Sequence, residues 1–335
     1  MTVEARDPSP WIHRLLLWAA LTAVPLFLVG GTITTVGAGM AVQGWWDAEG
    51  HFMPLFPLDK WFRDFGTFVE HKHRLWGLVV GFCVLSATVV AFVRGDRRTR
   101  TASTVALVAV VAQGSLGGFR VLENSPHLAF LHGVFAQGVF AVLLSAMLVA
   151  GPRWRAAAPI HNSLGRLRPM SWLLVAGVYG QIALGAWYRH ALRTGNVQAP
   201  GPGESTLAGA DHRLWLHMGI AFAVLALVIL VARSLKCVGT SAGDAGGSLV
   251  SAAKRLHILV GVQILLGFGA WLAYAPAAPG ESKAFPPLEL TFAALHVLCG
   301  AALLAQAAQA ALWCGRLAPS GAAAHDRDAP LAGTA

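Results

Sequence analysis

The sequence predicts an all-α integral membrane protein with eight transmembrane helices. Of its 335 residues, 56% are hydrophobic and only 12% are charged, and the mean hydropathy is +0.58. Soluble domains carry about 25% charged residues, so this composition argues against a water-soluble fold. The four cysteines lie within or beside apolar runs. They therefore support neither a disulfide framework nor a zinc site.

Eight apolar runs are long enough to cross the roughly 30 Å hydrocarbon core of a bilayer. They lie at 11–33, 68–93, 102–122, 127–150, 171–190, 212–235, 250–274 and 288–314. We expect disorder in residues 1–10 and 316–335 and a flexible link at 239–248, because these segments are rich in small and polar residues.

Arginine and lysine collect in the loops after the second, fourth and sixth spans. The first of these loops contains Arg94, Arg97, Arg98 and Arg100, whereas the opposite loops mix both signs of charge. The positive-inside rule therefore places these three loops and both termini in the cytoplasm of a bacterial-type cell (inner) membrane. The net charge of +9 reflects this topology, and no nucleic-acid binding is expected.

Histidines mark the outer ends of all four even-numbered spans. His73 begins the second span, His132 lies in the fourth, His212 and His217 lie in the sixth, and His296 lies in the eighth. Polar side chains are costly inside a bilayer and often mark functional positions, although a single histidine can simply bond two helices. Imidazoles that face each other from paired helices bind a haem iron from both sides, so the pattern predicts two haem sites.

Short motifs repeat along the chain and divide it into two halves. QGSLGG, QIALGA and QILLGF, in the third, fifth and seventh spans, share glutamine, leucine and glycine at fixed offsets. Duplication of a four-helix unit is the simplest explanation. We expect an N-terminal four-helix bundle at 11–150, a cytoplasmic linker at 151–170 and a C-terminal four-helix bundle at 171–315, related by pseudo-symmetry.

Glu70 is the carboxylate that helps to decide which kind of metal or cofactor site the histidines form. It precedes His73 by three residues, so the two side chains project from neighbouring positions on one helix face. The spans otherwise offer only Glu289, at the start of the last one, which argues against a zinc or di-iron centre. A carboxylate three residues from an axial ligand would reach over the porphyrin edge and take part in chemistry there.

These motifs together resemble the haem A synthase family. The resemblance covers nearly all of residues 15–313 and is carried by EHKHRLWG, QGSLGGFRVLENSPHLAFLHGVFAQ, QIALGAWYRH and QILLGFGAWL. Members are eight-helix membrane enzymes that oxidise the C8 methyl group of haem O to a formyl group, making haem A for terminal oxidases. The loops at 34–67 and 191–211 contain no cysteine, so the chain is similar to the cysteine-free class of this family.

The resemblance implies a substrate site in the first half of the chain. Glu70 would be the catalytic glutamate, and His73 and His132 would be the axial ligands of haem O. Arg74 and Arg120 are candidates to contact the haem propionates, the alternative being that they reach toward the membrane interface. Two successive hydroxylations would give a geminal diol, which loses water to form haem A.

The resemblance implies an electron-transfer site in the second half. A haem B cofactor would be bound by His296 and by a histidine of the sixth span. We favour His217, which matches His132 in depth. His212, the alternative, matches the HRLW motif of the second span, and the two face different directions on a helix. Expected partners are the haem O synthase, the terminal oxidase assembly pathway, membrane lipid, an unidentified electron acceptor and a second copy of the chain in a homo-oligomer.

Two other functions fit parts of the pattern. A di-haem b-type electron carrier, such as a quinol-linked cytochrome, needs four histidines but no carboxylate beside one of them, so Glu70 argues against it. A transporter with a histidine-lined proton path would contain no haem. The porphyrins bound to the purified protein distinguish these functions.

Overall fold

The computed structural model describes residues 8–160, 164–193, 212–273 and 287–318. This part of the chain is almost entirely helical, with one small antiparallel sheet of strands β1 and β2. The α-helices are α1 (Pro10–Val36), α2 (Leu58–Trp61), α3 (Phe65–Arg94), α4 (Arg97–Leu122), α5 (Pro126–Ala150), α6 (Pro152–Ala156), α7 (Leu167–Arg193), α8 (His212–Ser241), α9 (Gly247–Leu272) and α10 (Pro287–Leu317). The strands are β1 (Asp47–Ala48) and β2 (His51–Phe52).

Eight helices in the described ranges are long and apolar enough to cross a membrane: α1, α3, α4, α5, α7, α8, α9 and α10. The predicted eight-span, all-α fold is therefore confirmed. Most helices extend a few residues past the predicted apolar runs because polar side chains cap their ends. Asp64, Asp96 and Ser125 each accept a hydrogen bond from a backbone N–H in the first turn of α3, α4 and α5, which satisfies otherwise unpaired donors.

The spans pack in the same order in each half of the chain. Helices α1, α3, α4 and α5 contact one another in sequence, and α5 returns to contact α1. Helices α7, α8, α9 and α10 do the same, and α10 returns to contact α7. The two sets meet chiefly where α10 packs against α5 and α1. This repeated packing order is the one expected from a duplicated four-helix unit.

Short connections tie the helix ends together on the arginine-rich side. The N–H of Ser9 donates to the carbonyl of Arg94, and the N–H of Ile160 donates to the carbonyl of Leu317. Trp154 of α6 packs against Trp313 of α10 with ring centroids 5.0 Å apart. The segment predicted as the 151–170 linker therefore contains α6, the start of α7 and direct contacts to the last span.

The prediction of a flexible link at 239–248 is wrong. Helix α8 continues to Ser241, and a 3-10 helix at Gly243–Gly246 leads directly into α9. The backbones of Gly239 and Gly246 approach so closely that a side chain on Gly246 would clash, so the glycines permit a tight turn. Helix α10 also extends two residues into the tail predicted from 316. Residues 1–7 and 319–335, also predicted to be disordered, lie outside the described ranges.

The segment between α1 and α3, residues 37–64, folds over the helix ends opposite the arginine-rich side. This 37–64 cap contains the β1–β2 hairpin, a 3-10 helix at Met53–Leu55 and α2. Val42, Met53 and Phe56 form its buried core together with side chains of α3. His71 of α3 is buried beneath it, with its ring centroid 5.0 Å from that of Phe56. The cap is therefore a packed element that shields the ends of the first helices.

Candidate functional site

Two pairs of histidines face each other inside the two helix sets. The rings of His73 on α3 and His132 on α5 have centroids 6.4 Å apart and are inclined at 70°. The rings of His217 on α8 and His296 on α10 also have centroids 6.4 Å apart and are inclined at 75°. The two pairs thus have nearly the same geometry, although they are built from different helices.

Each of these four rings lies against a glycine of the preceding span. A Cβ atom built on the glycine would lie 2.8 to 3.0 Å from Cε1 of the ring, and in every case Nδ1 is the next nearest atom. The four glycine–histidine pairs are Gly30–His73, Gly117–His132, Gly185–His217 and Gly267–His296. We call these four residues the seat glycines, because only the absence of a side chain lets the imidazole pack there.

Sequence reasoning missed most of this arrangement. The repeated motifs place a glycine four residues after each glutamine, at 117, 185 and 267, but the sequence alone does not connect these glycines to the histidines. The fixed offset in the QxxLG motifs was the signal that could have identified them. Gly30 follows a leucine at that offset, so the motif does not reveal it.

The two candidate histidines of α8 occupy different surroundings. The ring of His217 faces His296, as described above. His212 is the first residue of α8, and its ring centroid lies 5.8 Å from that of Trp187 on α7. The geometry therefore pairs His217 with His296, and ligation by either histidine stays a prediction.

Glu70 is buried at the boundary between α3 and the 37–64 cap, with 2% of its surface exposed. Its Oε2 accepts a hydrogen bond of 2.9 Å from the N–H of Val42, and its Oε1 forms a salt bridge of 2.9 Å with Arg74. Arg74 also donates to the carbonyls of Val42 and Gly44 at 2.7 and 2.9 Å. The carboxylate and guanidinium thus hold the cap onto α3. A haem propionate that binds Arg74 would have to share its guanidinium with these partners.

Arg120, near the end of α4, connects this ion pair to the first histidine pair. Its Nη2 donates to the carbonyl of Gly39 in the cap at 3.0 Å. Arg120 also interacts electrostatically with Glu70 and with both His73 and His132. The structure therefore gathers the first-half candidates predicted from the sequence into one neighbourhood under the cap.

A third arginine, Arg63, forms the ion pairs on the exposed side of the cap. Arg63 donates to both carboxylate oxygens of Glu49 at 2.8 and 2.9 Å and to Asp64 at 3.2 Å. The hydrogen bonds from Arg63 lower the pKa of Glu49. Hydrogen bonds from the backbone and hydroxyl of Thr67 are the main cause of the lowered pKa of Asp64. These contacts are exposed to solvent, so each adds little to stability.

Within the described residues, no group of three or more His, Cys, Asp or Glu side chains could hold a metal ion. The metal-binding side chains instead occur as two facing pairs of imidazoles. Two imidazoles alone do not complete a metal site, whereas in haem proteins the remaining ligands of the iron come from the macrocycle.

A comparison with protein families supplies independent evidence. Residues 13–207, more than half of the chain, match the model of the COX15-CtaA family, described as cytochrome oxidase assembly proteins. The chain belongs to this family. The resemblance to haem A synthases inferred from the motifs is thereby confirmed.

Individual relatives match over shorter segments. The chain is 30% identical to the haem A synthase of Roseobacter denitrificans over 37% of this chain and 34% of that protein, and 29% identical to that of Ruegeria pomeroyi over 46% and 38%. It is also 30% identical to a protohaem IX farnesyltransferase of Halobacterium salinarum over 43% of this chain and 30% of that protein. The chain thus covers only about a third of the length of these relatives.

The family match covers the two halves of the chain unequally. Glu70, His73 and His132 lie inside the matched range 13–207, whereas His217 and His296 lie beyond it. The second histidine pair is therefore supported by its geometry and by its likeness to the first pair.

Proposed function

We propose that this family member is a haem A synthase, which oxidises the C8 methyl group of haem O to a formyl group. One observation carries the proposal: two histidine pairs have the same geometry, and only in the first does a buried carboxylate, Glu70, lie within one helical turn of a histidine on the same helix. Glu289, the buried carboxylate of α10, lies seven residues before His296. An enzyme of this kind requires two haem sites. One site would bind the substrate haem next to an acidic side chain, and the other would bind the cofactor haem.

The spacing of the rings fits a haem iron between them. Imidazole–metal bonds are about 2.0–2.1 Å long, and a ring centre lies about 1.1 Å from its ligating nitrogen, so two axial rings have centres roughly 6.3 Å apart. Both pairs have centroids 6.4 Å apart. The seat glycines fit the same purpose, since they leave room for each ring beside the preceding helix.

In the first half, His73 and His132 would hold the substrate haem O, and Glu70 would act on its periphery. Each of two hydroxylations would replace a hydrogen of the methyl carbon by an OH group from water and release two protons and two electrons, with the electrons passing to the external acceptor. The resulting geminal diol would lose water to give the aldehyde of haem A. Glu70 would accept a proton from that carbon or stabilise positive charge that develops on it. Burial under the 37–64 cap strengthens either effect because water is excluded. Arg120, with Arg74, would meet the propionates.

In the second half, His217 and His296 would hold haem B, with His212 as the alternative to His217. When bound, haem B would supply a one-electron carrier between the substrate site and an external electron acceptor. The role of the two imidazoles is to fix the iron and tune its potential through ligation and burial.

The proposal includes an arrangement in the membrane. The substrate half would span 11–150 and the haem B half 171–315, joined by 151–170, with both termini cytoplasmic and both haem sites toward the outer leaflet of a bacterial-type inner membrane. Arginine concentration at one end of the helix bundle supports this orientation. Partners would be the haem O synthase and the terminal oxidase assembly pathway, together with lipid and a second copy of the chain.

A di-haem electron carrier is the second candidate function, and one observation favours it. Both carboxylate oxygens of Glu70 already have partners, Val42 and Arg74, which hold the cap in place. Glu70 could then be a purely structural residue, and the carboxylate would no longer argue against a carrier.

Purification after co-expression with a source of haem O tests the proposed function. Mass spectrometry of the extracted porphyrins is expected to find haem A or its hydroxylated intermediate together with haem B. Only unchanged haem O or haem B would contradict the synthase and favour the carrier. A protein free of haem would exclude both and favour a transporter.

The seat glycines give a further prediction. Gly117→Ala would place a Cβ 2.8 Å from Cε1 of His132, so the ring has to shift. We expect haem affinity in the first half to fall by about 10-fold or more, the usual effect of disturbing an axial ligand. A titration of haem into the purified protein measures this affinity.

The matched control is Gly114→Ala, because no atom lies within 4 Å of the position of its Cβ. It lies one turn away on the same helix, and it should bind haem as the wild-type protein does. If the Gly117→Ala and Gly114→Ala variants bind haem with equal affinity, the seat glycine at 117 is not required for haem binding.

A further inference from the structure

The residue four positions before the seat glycine is a glutamine at three of the four sites and a leucine at the fourth. This residue is one helical turn away on the same face and therefore also points toward the histidine-bearing helix. It is Leu26 before Gly30, Gln113 before Gly117, Gln181 before Gly185 and Gln263 before Gly267.

The first two glutamines bind their histidines in the same way. The side-chain amide of Gln113 donates to the backbone carbonyl of His132 at 3.1 Å, and its nitrogen lies 3.0 Å from Nδ1 of the ring. The amide of Gln181 donates to the carbonyl of His217 at 2.6 Å, and its nitrogen also lies 3.0 Å from Nδ1. Each contact fixes the height of the histidine on its helix relative to the preceding span.

Gln263 reaches the same result with a different set of atoms. Its amide nitrogen lies 3.2 Å from Nε2 of His296, and Nδ1 of that ring lies 3.1 Å from the backbone carbonyl of Gln263. A backbone carbonyl only accepts hydrogen bonds, so Nδ1 carries the proton and the lone pair of Nε2 accepts from the amide of Gln263.

His73 lacks such a contact. At its site the glutamine position is occupied by Leu26, whose side chain has no hydrogen-bonding group. The Nδ1 atom of His73 is buried and no described side chain bonds it, so the polar contact of this ring is with the backbone carbonyl of Leu26. His73 is therefore the one imidazole of the four that no glutamine side chain contacts.

We propose that Gln113, Gln181 and Gln263 are positioning residues for three axial imidazoles, and that Leu26 makes His73 the exchangeable ligand. This inference rests on the proposed function, in which the first half must release its product haem while the second half retains its cofactor. Outer contacts fix ligand orientation, and their loss typically costs 10- to 100-fold in affinity. Both histidines of the second half are contacted by a glutamine, which favours retention of its haem. In the first half His73 has no such contact, which permits release of the haem.

Reciprocal substitutions in the full-length protein, purified with both haems, test this inference. The measurements are the rate of haem transfer to excess apomyoglobin and the low-spin EPR signal of each haem. Gln181→Leu is expected to speed loss of the second-half haem about 10- to 100-fold and to shift its EPR signal. Leu26→Gln is expected to slow loss of the first-half haem by a similar factor.

Gln309→Leu is the matched control. Gln309 also donates across helices, to the carbonyl of Leu144 at 3.0 Å, but belongs to neither histidine pair. Its substitution should change neither haem. Unchanged transfer rates and EPR signals in both Gln181→Leu and Leu26→Gln would overturn the inference, as would a wild-type first-half haem that dissociates no faster than the second.

These outcomes separate the inference from the proposed function. A protein that makes haem A but shows no effect of the glutamine and leucine substitutions refutes only the inference. A protein that shows the expected effects on two bound haems but never forms haem A refutes only the synthase function. A protein that binds no haem refutes both.

Discussion

Replacement of Glu70 by alanine is expected to stop haem A formation while haem stays bound to His73 and His132. The substitution removes the acid proposed to act on the methyl group but leaves both ligands in place. General acid–base groups typically contribute 10²–10⁴-fold, so the rate should fall by at least about 100-fold. The conversion of haem O is measured by mass spectrometry of porphyrins extracted from membranes containing equal amounts of each variant.

Glu70→Ala alone does not separate catalysis from structure, because Glu70 also holds Val42 and Arg74. Glu70→Gln keeps an acceptor oxygen and a similar shape without the charge. We expect this variant to fold, to bind haem and still to lose turnover. Full haem A production by Glu70→Gln would show that the carboxylate charge is not catalytic. His73→Ala, in contrast, should weaken both haem binding and turnover.

Replacement of Arg74 of α3 by alanine is expected to lower stability more than replacement of Arg63, the arginine of the cap itself. It would leave the Glu70 carboxylate buried without its charged partner and would free the carbonyls of Val42 and Gly44. Removal of one partner of a buried ion pair typically costs about 3–5 kcal/mol in the free energy of unfolding. The thermal unfolding midpoint in detergent, followed by near-ultraviolet circular dichroism, measures the loss.

Arg63→Ala is the control for this change. Arg63 also makes a salt bridge within the cap, but 42% of its side chain is exposed, so water and salt weaken the interaction. Its midpoint should stay close to that of the wild-type protein. Equal losses in Arg74→Ala and Arg63→Ala would contradict the view that the buried Glu70–Arg74 pair anchors the cap.

The sequence predicted the features that depend on hydrophobicity and helical period. A segment that crosses a bilayer must be a long apolar helix, so the sequence alone gives the eight spans and their approximate ends. Histidines such as His73 and His296 were conspicuous because polar groups are rare in such helices. Their facing arrangement in the structure agrees with the predicted pairing.

The contacts of the 37–64 cap could not be predicted in the same way. The resemblance implies that Arg74 is a candidate to contact a haem propionate, and this stays a prediction; the sequence gives no sign that its guanidinium also binds Glu70 and carbonyls of the cap. These contacts depend on the path of an irregular segment, which has no period in its sequence. The turn between Gly239 and Gly246 was mistaken for a flexible link for the same reason, since composition does not distinguish a tight turn from a mobile one.

The repeated contacts also bear on how the fold arose. A glycine–histidine pair occurs in each of the four helix pairs, and three of these pairs have a glutamine at the same offset. This agrees with the hypothesis of a duplicated four-helix unit and extends it, because the same unit occurs in α1–α3 and α4–α5 within one half. We infer that Leu26, in place of a fourth glutamine, distinguishes a site that releases its haem from one that retains it.

The central claim is that two histidine pairs each hold one haem. EPR spectroscopy of the purified full-length protein tests it most directly, with total haem measured in parallel. We expect two low-spin signals of equal intensity, of which His73→Ala removes one and His296→Ala removes the other. A single haem per chain, or the loss of both signals in either variant, would contradict the account.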